Sequence, residues 1–174
     1  IAAGQFQSAL TDSNVAIRLT DRMLKLVADD ARHWLDRGVP LQQVGINLSA
    51  ADFNADDLEG RISDAFGAAG VPLRHLLLEV TETVLMDGHD NKAARSIERL
   101  REKGMLVALD NFGTGYASLT HLLNFPVDII KIDKTFIDRL LIDRSSQLIV
   151  ESLIDLARKL GMRVVAEGIE TEAQ

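Results

Sequence analysis

Five polar residues stand at or inside the ends of five short apolar runs. Asn47 follows Val44-Gly45-Ile46, Glu79 follows Leu76-Leu77-Leu78, and Asp110 follows Met105 to Leu109. Lys131 lies between Ile130 and Ile132, and Glu167 follows Val164-Val165-Ala166. Two Glu, one Asp and one Asn offer hard oxygen donors, which suit Mg²⁺ or Mn²⁺ better than zinc. Carboxylates gathered without a cation would repel one another. A lysine beside them suits an anionic oxygen, either of a phosphate or of a developing leaving group. Together they are the equipment for metal-assisted phosphodiester hydrolysis. Any one of these residues could instead cap a helix or line a solvated rim. Five in succession at strand ends are not explained that way, and lysine rarely sits inside an apolar run without a partner.

The runs themselves read as strands. Met105 to Leu109 is too short for a soluble helix and uniformly apolar, as a strand buried on both faces would be. Strands are expected at Gln43 to Leu48, Leu76 to Val80, Met105 to Leu109, Val127 to Ile132 and Arg163 to Ala166. Between them fall helical patterns. The first runs from a Thr20 N-cap through Met23, Leu24, Val27, Ala28, Ala31, Trp34 and Leu35, with Trp34 on its core stripe and Gly38 after its end. Further helices are expected over Asp57 to Ala69, Asn91 to Lys103, Ala117 to Leu123 and Ser145 to Leu160. Residues 1 to 18 carry no clean period and read as a loop with a short helical turn. Strands alternating with helices mean parallel βαβ units. Such units build either an open doubly wound sheet or a (β/α)8 barrel, and both gather strand ends on one face. The polar strand ends favour the barrel.

Composition bounds the reading. With 47% hydrophobic and 26% charged residues, the 174-residue chain fits one globular domain over 1–174. Cysteine is absent, so there is no disulfide framework and no thiolate metal site or nucleophile. A formal net charge of -7 argues against binding a DNA or RNA polymer. No apolar run has transmembrane length, so the domain is expected to be cytoplasmic and to make no membrane contact. The first residue is Ile and the last are Thr171-Glu-Ala-Gln174, which suggests part of a longer polypeptide that could itself be membrane-anchored. His33, His75, His89 and His121 show no ligand-like pairing, and Arg95, Arg99, Arg101 and Lys103 read as the solvated face of one helix.

The motifs Ile46-Asn47-Leu48-Ser49-Ala50, Glu79-Val80-Thr81-Glu82-Thr83, Asp110 to Tyr116, Pro126 to Asp133 and Val164 to Glu170 occur in one order over essentially the whole chain. In this order and spacing they resemble the EAL domain of bacterial cyclic-di-GMP phosphodiesterases. The resemblance implies a modified TIM barrel with one antiparallel strand. It also implies hydrolysis of cyclic-di-GMP to linear pGpG with two Mg²⁺ or Mn²⁺ ions, lowering a bacterial second messenger. Carried over by motif, Asn47, Glu79 and Asp110 match metal ligands, with Asp110 bridging both ions. Asn111 stands where the family most often has a second Asp serving the second metal. Lys131 matches the lysine near the attacking water and the scissile phosphate, with Asp133 a supporting acid. Glu167 matches the glutamate assigned to the second metal and the water as general base. Glu82 matches the residue holding the loop after Asp110, and Glu170 a further active-site acid. The loop Phe112, Gly113, Thr114, Gly115 and Tyr116 would couple the site to dimerisation.

Departures from the family pattern also matter. The Glu-Ala-Leu tripeptide is absent, since Ser8-Ala9-Leu10 lies in the wrong context, and so are the last strand and helix. On this reading the barrel lacks its first, EAL-bearing strand and its C-terminal strand and helix. Asn111 removes one negative charge and leaves a weaker donor, so lower affinity for the second metal is expected, with residual turnover. The resemblance also implies a homodimer and fusion to sensory or GGDEF-type domains. The alternative is a catalytically weakened EAL domain that senses cyclic-di-GMP.

Overall fold

A computed structural model of the chain describes residues 12–86, 92–113, 122 and 125–174. In chain order the elements are α1 Ser13–Asp36, β1 Val44–Leu48, α2 Ala50–Asn54, α3 Leu58–Ala68, β2 Leu76–Thr81, α4 Glu82–Met86, α5 Lys92–Glu102, β3 Leu106–Phe112, β4 Ile129–Ile132, α6 Lys134–Asp138, α7 Arg144–Lys159 and β5 Arg163–Ala166. The helix expected over residues 117–123 lies almost entirely outside the described residues, as do residues 1–11.

The five expected strands form one sheet in the order β1-β2-β3-β4-β5, and every described pairing is parallel. This is the α/β arrangement expected of a TIM-like fold. Side chains alternate across each strand. Leu76, Leu78 and Val80 of β2 are buried on one face, while Leu77, Glu79 and Thr81 are half-buried on the other. Helix α1 packs beside β1, α5 on β3, and α7 on β4 and β5. Ile62 and Phe66 of α3, Ile97 and Leu100 of α5, and Leu78, Leu109 and Ile130 of the sheet are fully enclosed in one core. Burying each stabilises the fold by about 1.5–3 kcal/mol.

Two expectations for α1 need correction. The helix starts seven residues before Thr20, at an Asp12 N-cap whose carboxylate accepts from the backbone N–H groups of Asn14 and Val15. Its first turns carry the exposed apolar residues Val15 and Leu19, which blur the helical period. Thr20 is buried and donates its hydroxyl hydrogen bond to Asp52. Trp34 is 37% exposed, because it sits toward the flank of the stripe that buries Leu24, Ala28 and Ala31.

The arginines of α5 also do more than face solvent. Arg101 forks onto Asp128 at 2.6 Å, and Asp128 accepts in turn from the Val107 backbone N–H, which ties α5 to the entry of β3 and β4. Arg99 pairs with Glu59 of α3 at 2.6 Å.

Candidate functional site

The parallel register brings the polar strand ends together. Asn47 of β1 stands beside Glu79 of β2, and Glu79 stands beside Ala108 of β3. Thr81 is level with Asp110, and Lys131 of β4 is level with Val165 of β5. Glu167 extends the ladder beyond β5, its backbone N–H donating to the Ile132 carbonyl at 3.1 Å. Each residue owes its place to the apolar run before it, which fixes the strand and the height at which its last side chain emerges.

At the centre is the Lys131 ammonium. It donates to Glu79 Oε2 at 2.8 Å and lies 2.7 Å from Glu167 Oε1 and 3.0 Å from Asp110 Oδ1. The Lys131 side chain is 13% exposed, Glu79 15% and Asp110 12%, whereas Glu167 at 32% faces the opening. Burial opposes the lysine's charge most, but the Glu167, Glu79 and Asp110 carboxylates outweigh it and raise its pKa above the ordinary lysine value. Lys131 therefore stays protonated throughout the physiological range. Asp110 Oδ1 is a special case. It lies at ion-pair distance from the ammonium, and this buried oxygen has no hydrogen-bond partner among the described residues.

Such an oxygen is the kind of group a divalent cation satisfies. With Glu79 and Glu167 on the same ammonium and Asn47 beside Glu79 in the sheet, the donor set is all oxygen and fits a hard cation. Among the described residues no three carboxylate or imidazole groups are spaced as a ready-made cation cage. The three carboxylates face Lys131 instead.

Asn111 has a left-handed backbone, φ 55°, inside an irregularity where the β3–β4 register shifts between Leu109 and Phe112. Phe112 is buried, and Gly113, with φ 96°, donates its backbone N–H to Glu82 Oε1 at 2.9 Å. Glu82, the first residue of α4, is itself buried and so holds the start of the loop. Thr114, Gly115 and Tyr116 lie outside the described residues.

Two expected supporting acids are placed elsewhere. Asp133 is the N-cap of α6, accepting from the Thr135 backbone N–H at 2.8 Å. Glu170 pairs with Lys134 at 3.0 Å and is well exposed. Neither is among the partners of Lys131, because both lie past the strand ends, where the chain has turned away.

Gly45 was not recognisable as part of the site. A Cβ there would overlap Glu79 Oε1, so the missing side chain leaves room for the Glu79 carboxylate to lie against β1. A glycine two residues before Asn47, on the same strand face, was the only sequence signal.

The sequence model described as the EAL domain matches residues 1–174. The chain is 34% identical over 174 residues to the bifunctional diguanylate cyclase/cyclic di-GMP phosphodiesterase MucR of Pseudomonas aeruginosa, covering 100% of this chain and 25% of that protein. It is 36% identical over 141 residues to the oxygen sensor protein DosP of Escherichia coli, covering 81% of this chain and 18% of that protein. The chain thus spans a quarter or less of these curated relatives. Among solved structures it is similar to the MucR phosphodiesterase in complex with c-di-GMP, with a TM-score of 0.91 at 34% identity, over 99% of this chain and 70% of that one. It is similar also to Klebsiella pneumoniae BlrP1 with manganese and cy-diGMP, with a TM-score of 0.81 at 30% identity, over 98% of this chain and 42% of that one.

Proposed function

The chain belongs to the EAL domain family, and from that premise we propose that it is a metal-dependent phosphodiesterase hydrolysing cyclic-di-GMP to linear pGpG. The observation that carries this reading is the junction of Glu79 of β2, Asp110 of β3 and Glu167 just after β5 on the single ammonium of Lys131. The manganese and cyclic dinucleotide bound to BlrP1 support the same choice of ligands.

Asn47, Glu79, Asp110, Asn111 and Glu167 would hold two divalent cations, Mg²⁺ or Mn²⁺. Bound there, the cations supply Lewis acidity, activating water and neutralising phosphate charge. The chain's own residues do the rest. Glu167, the most open of the three carboxylates, accepts the proton of the attacking water. Lys131 presents its ammonium to the phosphate oxygens as charge moves onto the leaving oxygen. Glu82 keeps the Asp110-Asn111 turn in place through the Gly113 backbone. Homodimerisation through the loop after Asp110, and fusion to sensory or GGDEF-type domains in a cytoplasmic protein, belong to the same proposal. No described helix is long and apolar enough to cross a membrane.

A second reading, a cyclic-di-GMP sensor that does not cut, is favoured by the amide of Asn111 in place of a carboxylate and by the absence of a ready-made cation cage among the described residues. Incubating the purified protein with cyclic-di-GMP and Mn²⁺ and quantifying pGpG by chromatography separates the two. Product that disappears in Glu167→Ala is expected. Bound but uncut cyclic-di-GMP would establish the sensor, and neither binding nor turnover would sink both.

A further inference from the structure

Lys131 presents the site with a cation of its own. Three carboxylate oxygens surround its nitrogen at 2.7, 2.8 and 3.0 Å, one from each of β2, β3 and the segment after β5. The ammonium donates a hydrogen bond to Glu79 and stands at ion-pair distance from Asp110 and Glu167. A magnesium ion needs its oxygens at about 2.0–2.1 Å. An ion that close to Glu79, Asp110 and Glu167 would overlap the ammonium at the same focus and repel it. The two cations would therefore compete for these oxygens. Among the described residues no such trio is spaced for a metal, and these three carboxylates face lysine.

We infer that Lys131 is a built-in competitor for the divalent cation, occupying the carboxylate trio until the metal displaces it and frees its ammonium for the substrate phosphate. The inference rests on the phosphodiesterase reading and adds an order of events to it. The lysine side chain has four methylene groups and can swing while its strand stays fixed. An anionic phosphate that draws the ammonium out of the trio must also tighten cation binding, because coupling between two ligands is reciprocal. Metal and cyclic dinucleotide would then load cooperatively, and an empty site would keep its carboxylates compensated.

Mn²⁺ binding, followed calorimetrically without nucleotide, tests this in the wild type and in Lys131→Met, which keeps most of the side chain's length but carries no charge. Losing the competing charge-assisted contacts should tighten the first Mn²⁺ by at least about tenfold. Lys134→Met is the control. It removes the same charge from a lysine whose ion-pair partner among the described residues is exposed Glu170, and should change Mn²⁺ affinity far less. Equal effects in the two variants, or no tightening in Lys131→Met, would overturn the inference. Should Lys131→Met fail to fold, the Lys131 ammonium resonance of the wild type decides. It should be slowly exchanging in chelator and change in proportion to bound Mg²⁺, and an unchanged resonance at saturating Mg²⁺ would overturn the competition. Wild type and Lys131→Met that both bind no divalent cation would overturn the phosphodiesterase reading itself.

Discussion

Asn111 combines two properties that are seldom required of one residue. Its backbone is left-handed, φ 55°, at the point where β3 slips against β4, and asparagine is among the few non-glycine residues that accept this conformation at low cost. In the proposed metal site its side chain would supply an amide where the resemblance implies a carboxylate. Aspartate tolerates the same backbone nearly as well, so Asn111→Asp should preserve the fold while restoring the donor. Mn²⁺ affinity is then expected to rise by about 10–100-fold, the range in which disturbed support of a metal site is felt. A Mn²⁺ titration of the two proteins checks this, and identical affinities would show that position 111 does not touch the metal. Residue types and spacing made Asn47, Glu79, Asp110, Lys131 and Glu167 legible because each ends or interrupts an apolar run. Asp133 and Glu170 came instead from the family resemblance, and in the structure Asp133 caps α6 while Glu170 pairs with Lys134. A turn of two or three residues past a strand end is enough to send a carboxylate to a helix cap or to a surface lysine instead.

Element by element, the sheet was easier to recognise than the helices around it. Each strand carries a short apolar run, and in β3 it is unbroken and buried on both sides. By contrast α2, α4 and α6 have five residues each, too few for a helical period to show. The one that matters most for the site is α4. It begins at Glu82, directly after β2, and this buried carboxylate accepts from the Gly113 backbone N–H at the end of β3. One hydrogen bond thus ties the exit of β2 to the exit of β3, on either side of Asp110. Glu82→Ala removes a charge-assisted acceptor from the Gly113 backbone donor. It should cost about 1.5–3 kcal/mol of stability, measured by denaturant unfolding. Turnover should fall further than this loss explains at temperatures where the variant remains folded, because the Asp110-Asn111 turn is no longer held. Turnover that merely tracks the folded fraction would reduce Glu82 to a structural role.

At the scale of the whole molecule, electrostatics acts with opposite sign on the two ligands of the proposed reaction. The chain carries a formal net charge of -7, and its site sets three carboxylates against one ammonium. A dication is drawn toward such a surface, whereas a cyclic dinucleotide with two phosphodiester charges is repelled until metal and Lys131 face it. Both long-range effects are screened by salt, over a Debye length of about 10 Å at 0.1 M and about 3 Å at 1 M. Raising NaCl from about 0.05 M to about 0.5 M should therefore weaken Mn²⁺ binding in the absence of nucleotide. The same change should leave cyclic-di-GMP binding in chelator unchanged or slightly stronger, since only repulsion is being screened. If both affinities fall together, the nucleotide must be meeting a positive surface elsewhere on the protein, and the acidic strand-end cluster would not be its entry point. If they diverge, the metal is what converts a repelling site into an attracting one.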